Sequence, residues 1–171
     1  MKHLVITVIG QDRPGLVEQL SEAIYQNHGN WLSSSLSKLA GQFAGILHVE
    51  VASQHIVVLR KALEQIDALQ IQIVEEQHST PPVSALHACC ITGNDRPGIV
   101  KEVTTLLSQL NVNINKLKTE AHSAPNWGYP IFTAHFELEL PTNLELETLQ
   151  EELESLADDL NVDFDEDLIA S

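Results

Sequence analysis

The sequence predicts an α+β chain built as two βαββαβ units in tandem. Each unit is an antiparallel four-stranded sheet with its helices on one face. Three observations predict it. A six-residue stretch occurs twice, 83 positions apart, as Gly10-Gln11-Asp12-Arg13-Pro14-Gly15 and Gly93-Asn94-Asp95-Arg96-Pro97-Gly98. Its surroundings match at the same offset, Val17 with Val100, Gln26 with Gln109 and Asn30 with Asn113. Each copy also stands between an apolar run and a helical pattern. An internal repeat of that length marks a duplicated structural unit.

The elements follow in order. His3 to Ile9 is rich in Val and Ile and reads as a buried strand. A helix is expected from Pro14 to His28, with Leu16, Val17, Leu20, Ala23 and Ile24 at helical spacing. Gly29 is placed to end it in the left-handed conformation. Asn30 to Leu39 reads as the second strand, polar on one side through Ser33, Ser34, Ser35 and Ser37. After a turn at Ala40 to Gln42, Phe43 to Ala52 reads as a third strand. There Ile46, His48 and Glu50 alternate with Leu47, Val49 and Val51, as a half-exposed strand requires. Gln54 to Ala68 is expected to be helical, with Val58, Ala62 and Ile66 on its buried side, and Leu69 to Glu75 to be the fourth strand. The resulting βαββαβ order is the ferredoxin-like arrangement.

The first unit is assigned to 1–78, a connector to 79–84 and the second unit to 85–171. Thr80-Pro81-Pro82 makes the connector stiff and extended. In the second unit, Ala85 to Ile91, Val112 to Ala121, Ile131 to Leu140 and Val162 to Phe164 read as strands. Pro97 to Leu110 reads as a helix with Ile99, Val100, Val103, Leu106, Leu107 and Leu110 inward. Asn143 to Leu160 reads as another, with Leu146, Leu149, Leu153, Leu156 and Leu160 at steps of three and four. If His135 is aligned with His48, the segment His122 to Pro130 exceeds its counterpart by four residues. It holds Pro125, Trp127, Gly128, Tyr129 and Pro130. A hairpin tip packed on its own unit is the plainer reading, and a lid or partner contact the sharper one.

The repeated stretch has the chemistry of a strand-to-helix turn. Gly10 and Gly93 allow a sharp bend. Asp12 and Asp95 suit the free amides and positive dipole of a helix start. Pro14 and Pro97 fit the first turn. Gly15 and Gly98 leave it bare, so that a carboxylate or phosphate has access to the amides. A capped helix without a ligand accounts for the same residues.

Composition narrows the function. The chain has 171 residues, of which 43% are hydrophobic and 19% charged. Nine basic against 24 acidic side chains give a net charge of −15. Residues 1–78 carry a net −3 and residues 79–171 a net −12. DNA contact ordinarily needs clustered Lys and Arg, so no direct nucleic-acid binding is expected. From Glu145 to Asp167 there are eleven acidic residues and no Lys or Arg. This reads as a solvated face that keeps the chain soluble, or as a docking surface for a basic partner. No apolar run is long enough to cross a membrane, and the N-terminus lacks the pattern of a secretion signal. A cytoplasmic location is the default. The only cysteines, Cys89 and Cys90, are neighbours on a strand and point to opposite faces. They read as structural thiols. No phosphate-binding loop, dinucleotide fingerprint or nucleophile elbow is present. The eight histidines form no His-x-x-x-His pair. No catalytic residue, metal or cofactor is expected.

A D-R-P-G turn after a first strand, followed by a helix and an Asn opening the next strand (Asn30, Asn113), resembles the ACT domain. ACT domains are small regulatory modules that commonly bind amino acids. Two of them filling a short acidic chain, over about residues 2–168, resemble the glycine cleavage system transcriptional repressor family. The resemblance implies a ligand near the first strand-to-helix loop. Carried onto this chain, the backbone around Gly15, Leu16, Gly98 and Ile99 would receive a carboxylate, with Pro14 and Pro97 part of the binding turn that Asp12 and Asp95 would shape. Asp12 and Asp95 would meet an ammonium group, Arg13 and Arg96 a carboxylate, and Asn30 and Asn113 the ligand from the adjoining strand. The resemblance further implies repression of glycine cleavage genes, with glycine as the signal, through a DNA-bound activator protein of the LysR type. A second copy of the chain is a further candidate partner. The rival reading is a ligand-free module that holds a partner protein.

Overall fold

The computed structural model describes residues 1–76, 85–123 and 128–165. The connector expected at 79–84 lies outside them. So do Pro125 and Trp127 of the aromatic segment, and Glu166 and Asp167 of the acidic run. The chain divides into two compact units, Met1–Thr80 and Pro81–Ser171.

In the first unit the order is β1 (Lys2–Gln11), α1 (Leu16–Gln26), β2 (Gly29–Leu39), β3 (Gln42–Val51), a 3₁₀ turn at Ser53–His55, α2 (Ile56–Glu64) and β4 (Gln70–Glu75). The strands form one antiparallel sheet in the order β2-β3-β1-β4. The second unit repeats this with β5 (Leu86–Asn94), α3 (Ile99–Gln109), β6 (Asn113–Ser123), β7 (Pro130–Glu139), α4 (Leu146–Glu154) and β8 (Asn161–Asp165), in the sheet order β6-β7-β5-β8.

The alternation along each central strand separates core from open face. In β1, Leu4, Ile6 and Val8 are buried under the helices, while His3, Val5, Thr7 and Ile9 lie on the other face. In β3, Leu47, Val49 and Val51 are buried and Ile46, His48 and Glu50 are not. The helices close each core with a narrow stripe, Leu16, Leu20 and Ile24 on α1 and Ile99, Val103 and Leu107 on α3. Val17 and Val100, expected inside, are 46% and 38% exposed, because a three-turn helix on a flat sheet buries only every fourth residue there. On α2 the buried side is Leu59 and Leu63, not Val58 and Ala62. Ile56 and Ile66 extend that stripe, and it outweighs the shorter side chains one position away. Cys89 faces the core and Cys90 the opposite face.

Three local expectations change. Both first helices start two residues late, at Leu16 and Ile99, because Gly15 and Gly98 are left-handed at φ 88° and 91°. The left-handed residue after α1 is His28 (φ 60°), and Gly29 already belongs to β2. Gly10 is not a left-handed bend. A Cβ there would lie closer than 3.0 Å to the Ala68 carbonyl oxygen, so its bareness admits the α2–β4 connection.

The register also corrects the alignment of the third strands. Gly10 faces Phe43, and Gly93 faces Phe132. The counterpart of His48 is therefore Glu137, and that of His135 is Ile46. Between equivalent positions of the second and third strands the second unit holds six more residues than the first, not four: one further strand pair, Ser123 with Pro130, and four more residues in the connection itself.

Candidate ligand site

Each repeated turn lies between the end of a central strand and the start of a helix. Neither helix start carries a side-chain cap. Intrahelical bonding begins with Gln19 N–H to Gly15 O in α1 and Glu102 N–H to Gly98 O in α3, each 2.9 Å. The amides before these are not used by the helix. In the second unit Ile99 N–H turns back to Arg96 O at 3.4 Å. Above Gly15 the nearest atom to an added Cβ is Glu18 Oε2 at 3.9 Å, and above Gly98 it is Glu102 Oε1 at 3.8 Å. The approach to both helix starts is open.

Asp12 and Asp95 do not cap these helices. Their backbone amides instead close the neighbouring hairpin, Asp12 N–H to Gly41 O and Asp95 N–H to Pro130 O, each 2.9 Å. The Asp12 carboxylate pairs with Lys38 of β2. Residue 121, the counterpart of Lys38, is Ala, and among the described residues Asp95 has no ion-pair partner.

The arginines are arranged the other way. Arg96 gives two parallel hydrogen bonds to Glu102, Nη1 to Oε1 at 2.7 Å and Nη2 to Oε2 at 2.5 Å. Those bonds hold the Glu102 carboxyl below its ordinary pKa. Arg13 makes no ion pair among the described residues. It lines an open cleft of about 620 Å³ between α1 and the segment after α2, with Glu18, Glu22, Gln65 and Asp67. The matching cleft in the second unit, about 490 Å³, is lined by Gly98, Lys101, Glu102, Gln109 and Leu156. Among the described residues the repeated turn thus leaves its Arg unpaired and its Asp engaged in the first unit, and the reverse in the second.

Asn30 and Asn113 do not join these turns within a unit. Asn30 faces Glu50, which faces His3, whereas the turn leaves from the level of Phe43. Seven residues of β3 separate the two levels, about 23 Å at the rise of a strand. Asn113 lies likewise opposite Glu139 and gives it a hydrogen bond at 3.3 Å. Pro14 and Pro97 occupy the turn ahead of each helix rather than its first helical position.

The open face of the first sheet holds a cluster that sequence spacing hides. His3, His48 and Glu76 bring Nδ1, Nε2 and Oε2 within 4.8 Å of one another. Only the antiparallel register makes them neighbours. The β1–β3 pairing is the one signal that could have found them, since it sets His3 and His48 on the same face.

Comparison with known proteins places both units. Models described as ACT domain match residues 2–75 and residues 89–163. The glycine cleavage system transcriptional repressor of Escherichia coli is 22% identical over 163 residues, covering 93% of this chain and 86% of that protein. A UPF0237 protein of Methanocaldococcus jannaschii is 32% identical over 77 residues, covering 43% of this chain and 86% of that protein. Among solved structures, an unknown protein from Galdieria sulphuraria shares the fold at TM-score 0.84 and 29% identity, over 96% of this chain and 97% of that one. A structure named as a glycine cleavage system transcriptional repressor shares it at TM-score 0.67 and 20% identity, over 96% and 97%.

Proposed function

Because the chain belongs to the ACT-domain family and carries two copies of that domain, we propose that it is an amino-acid-responsive regulator of transcription with no catalytic step of its own. The observation that carries the reading is the pair of uncapped helix starts, each opened by a left-handed glycine. Free amides at a helix start favour a carboxylate through both hydrogen bonding and the dipole. In the first unit Arg13 adds a cation. In the second, Asp95 is available to an ammonium group. An α-amino acid carries both charges. The similarity to the Escherichia coli repressor favours glycine as the signal and glycine cleavage genes as the target. The net charge of −15 favours action through a DNA-bound activator of the LysR type over direct DNA contact. A ligand that binds one arrangement of the protein better shifts its population and so alters partner binding.

The test is calorimetric titration of the full chain with glycine, then serine and larger amino acids. Saturable binding that Arg13→Ala and Gly15→Ala weaken supports the reading. No heat, together with an unchanged melting temperature at every amino acid, removes it. The weight then passes to a ligand-free interaction module. That second reading draws on the open face of the first sheet, where Ile9, Ile46 and Val74 are each about half exposed.

A further inference from the structure

We infer that His3, His48 and Glu76 form a binding site for one divalent transition-metal ion of the zinc type. The inference is independent of the amino-acid reading, because the site lies on the open sheet face at the opposite end of β1 from the turn.

The geometry carries it. His3 Nδ1 lies 3.2 Å from His48 Nε2. His48 Nε2 lies 3.2 Å from Glu76 Oε2, and His3 Nδ1 lies 3.8 Å from the same oxygen. Zinc holds nitrogen and oxygen ligands at about 2.0–2.2 Å in a tetrahedron, which spaces neighbouring donors by about 3.3 Å. A point equidistant from the three atoms at the observed separations is about 2.0 Å from each. An ion set slightly out of their plane meets all three at ligand distance. Its fourth position then faces solvent.

Hydrogen bonding alone satisfies the triangle less well. One hydrogen on His48 Nε2 points at His3 Nδ1 or at Glu76, but not at both. A cation draws on all three lone pairs at once. Two imidazoles and one carboxylate are the donor set that borderline ions such as zinc accept.

The surroundings support the same reading. His3 Nε2, the ring nitrogen turned away from the cluster, lies 3.9 Å from Glu50 Oε1. Glu50 sits directly opposite His3 in the β1–β3 register. A carboxylate at that distance makes no hydrogen bond to the ring, but its negative charge favours a cation held on the ring's other side. Glu76 is placed by its own backbone, whose N–H bonds His3 O at 2.9 Å. The three side chains keep about a third of their surface exposed, at 31%, 32% and 38%, so an ion has a path in. The second unit is an internal control. Leu86 stands where His3 would, and Glu137, at the place of His48, is paired with Lys116 at 3.3 Å.

The experiment uses the full chain without a histidine tag, stripped with chelator. Cobalt(II) is titrated in and followed by visible absorption, and then displaced with zinc. One equivalent of cobalt with the strong visible bands of a four-coordinate ion, displaced by one equivalent of zinc, is the expected result. His48→Gln and Glu76→Gln should each weaken zinc at least 100-fold. Glu50→Gln should weaken it about 10-fold, through the lost charge alone. His135→Gln should leave it unchanged. Failure to take up one equivalent, or equal affinity in wild type and His48→Gln, overturns the inference. These side chains lie on the open face, so circular dichroism of each variant separates lost binding from lost fold.

Discussion

Gly10 and Gly93 occupy the same place in the repeat, yet the same substitution should cost them differently. At Gly10 an added Cβ lies closer than 3.0 Å to the Ala68 carbonyl oxygen and 2.9 Å from Leu69 Cδ2. A backbone oxygen cannot rotate away, so the α2–β4 connection has to move. At Gly93 the nearest atom is Leu160 Cδ2 at 2.7 Å, the end of a flexible side chain, and the nearest backbone oxygen is 3.3 Å away. Overpacking a tight site costs about 1–3 kcal/mol. Gly10→Ala belongs at the upper end and Gly93→Ala at the lower. Each regains about 0.5–1 kcal/mol from the lower entropy of the unfolded chain. The expected net costs are about 2 kcal/mol at Gly10 and near zero at Gly93. In a domain of this size that difference is about 8–16 °C in Tm. Hydrogen exchange by mass spectrometry reads the units separately, through peptides of β1 and α1 and of β5 and α3. Gly10→Ala should lose protection in the first unit only, while Gly93→Ala leaves both nearly as they were. Equal losses in the two variants would refute the argument that a backbone contact, and not the strand-end position, fixes glycine at position 10.

Further outcomes follow from the site and the two cores. Glu102→Gln should free Arg96 and strengthen amino-acid binding in the second unit a few-fold in calorimetry, while Arg96→Ala should not. Burial first, then the neighbouring Cys90 and Asp163, push the Cys89 thiol up to about 12. Thiol labelling at pH 8 should therefore modify Cys90 first and reach Cys89 only on unfolding. Hydrogen bonds from Lys118 and His122 lower Glu120 to about 2. A depressed carboxyl adds stability above the ordinary glutamate range and loses it as pH falls toward about 2. An NMR titration should place its midpoint there, and Lys118→Ala should raise it. Leu107→Ala, at a fully buried position of α3, should cost about 2–5 kcal/mol in urea unfolding.

The parts legible in the sequence are those with a short period. Leu47, Val49 and Val51 alternate with Ile46, His48 and Glu50, and that alternation fixed both the strand and its buried face. The repeated turn was legible because Gly15 and Gly98 break the helical pattern at one offset. What escaped depends on geometry between distant segments. On α2 two stripes compete one residue apart, and contact with the sheet selects Leu59 and Leu63. Asp12 and Asp95 had the side chain of a cap, but the cap position is taken by the left-handed glycine three residues beyond them, and the helix starts one residue later still. Lys38 and Glu102 then chose which charge each turn left free, and neither lies in the repeated stretch. His3, His48 and Glu76 are separated by 45 and 28 positions, so nothing in their local spacing announced a cluster.

The two copies differ in how readily their central hairpins can close. Leu39 and Gln42 close β2–β3 across two residues, both with positive φ, at 49° and 78°. That matches the twist of a tight hairpin and favours early closure. In the second copy Ser123 pairs with Pro130 across six residues. Loop closure then costs about 1 kcal/mol more, or roughly a fivefold slower start if the hairpin nucleates each unit. During synthesis the N-terminal copy would be both first to emerge and first to close. The second copy would follow after a delay, as domains that fold in turn during synthesis do.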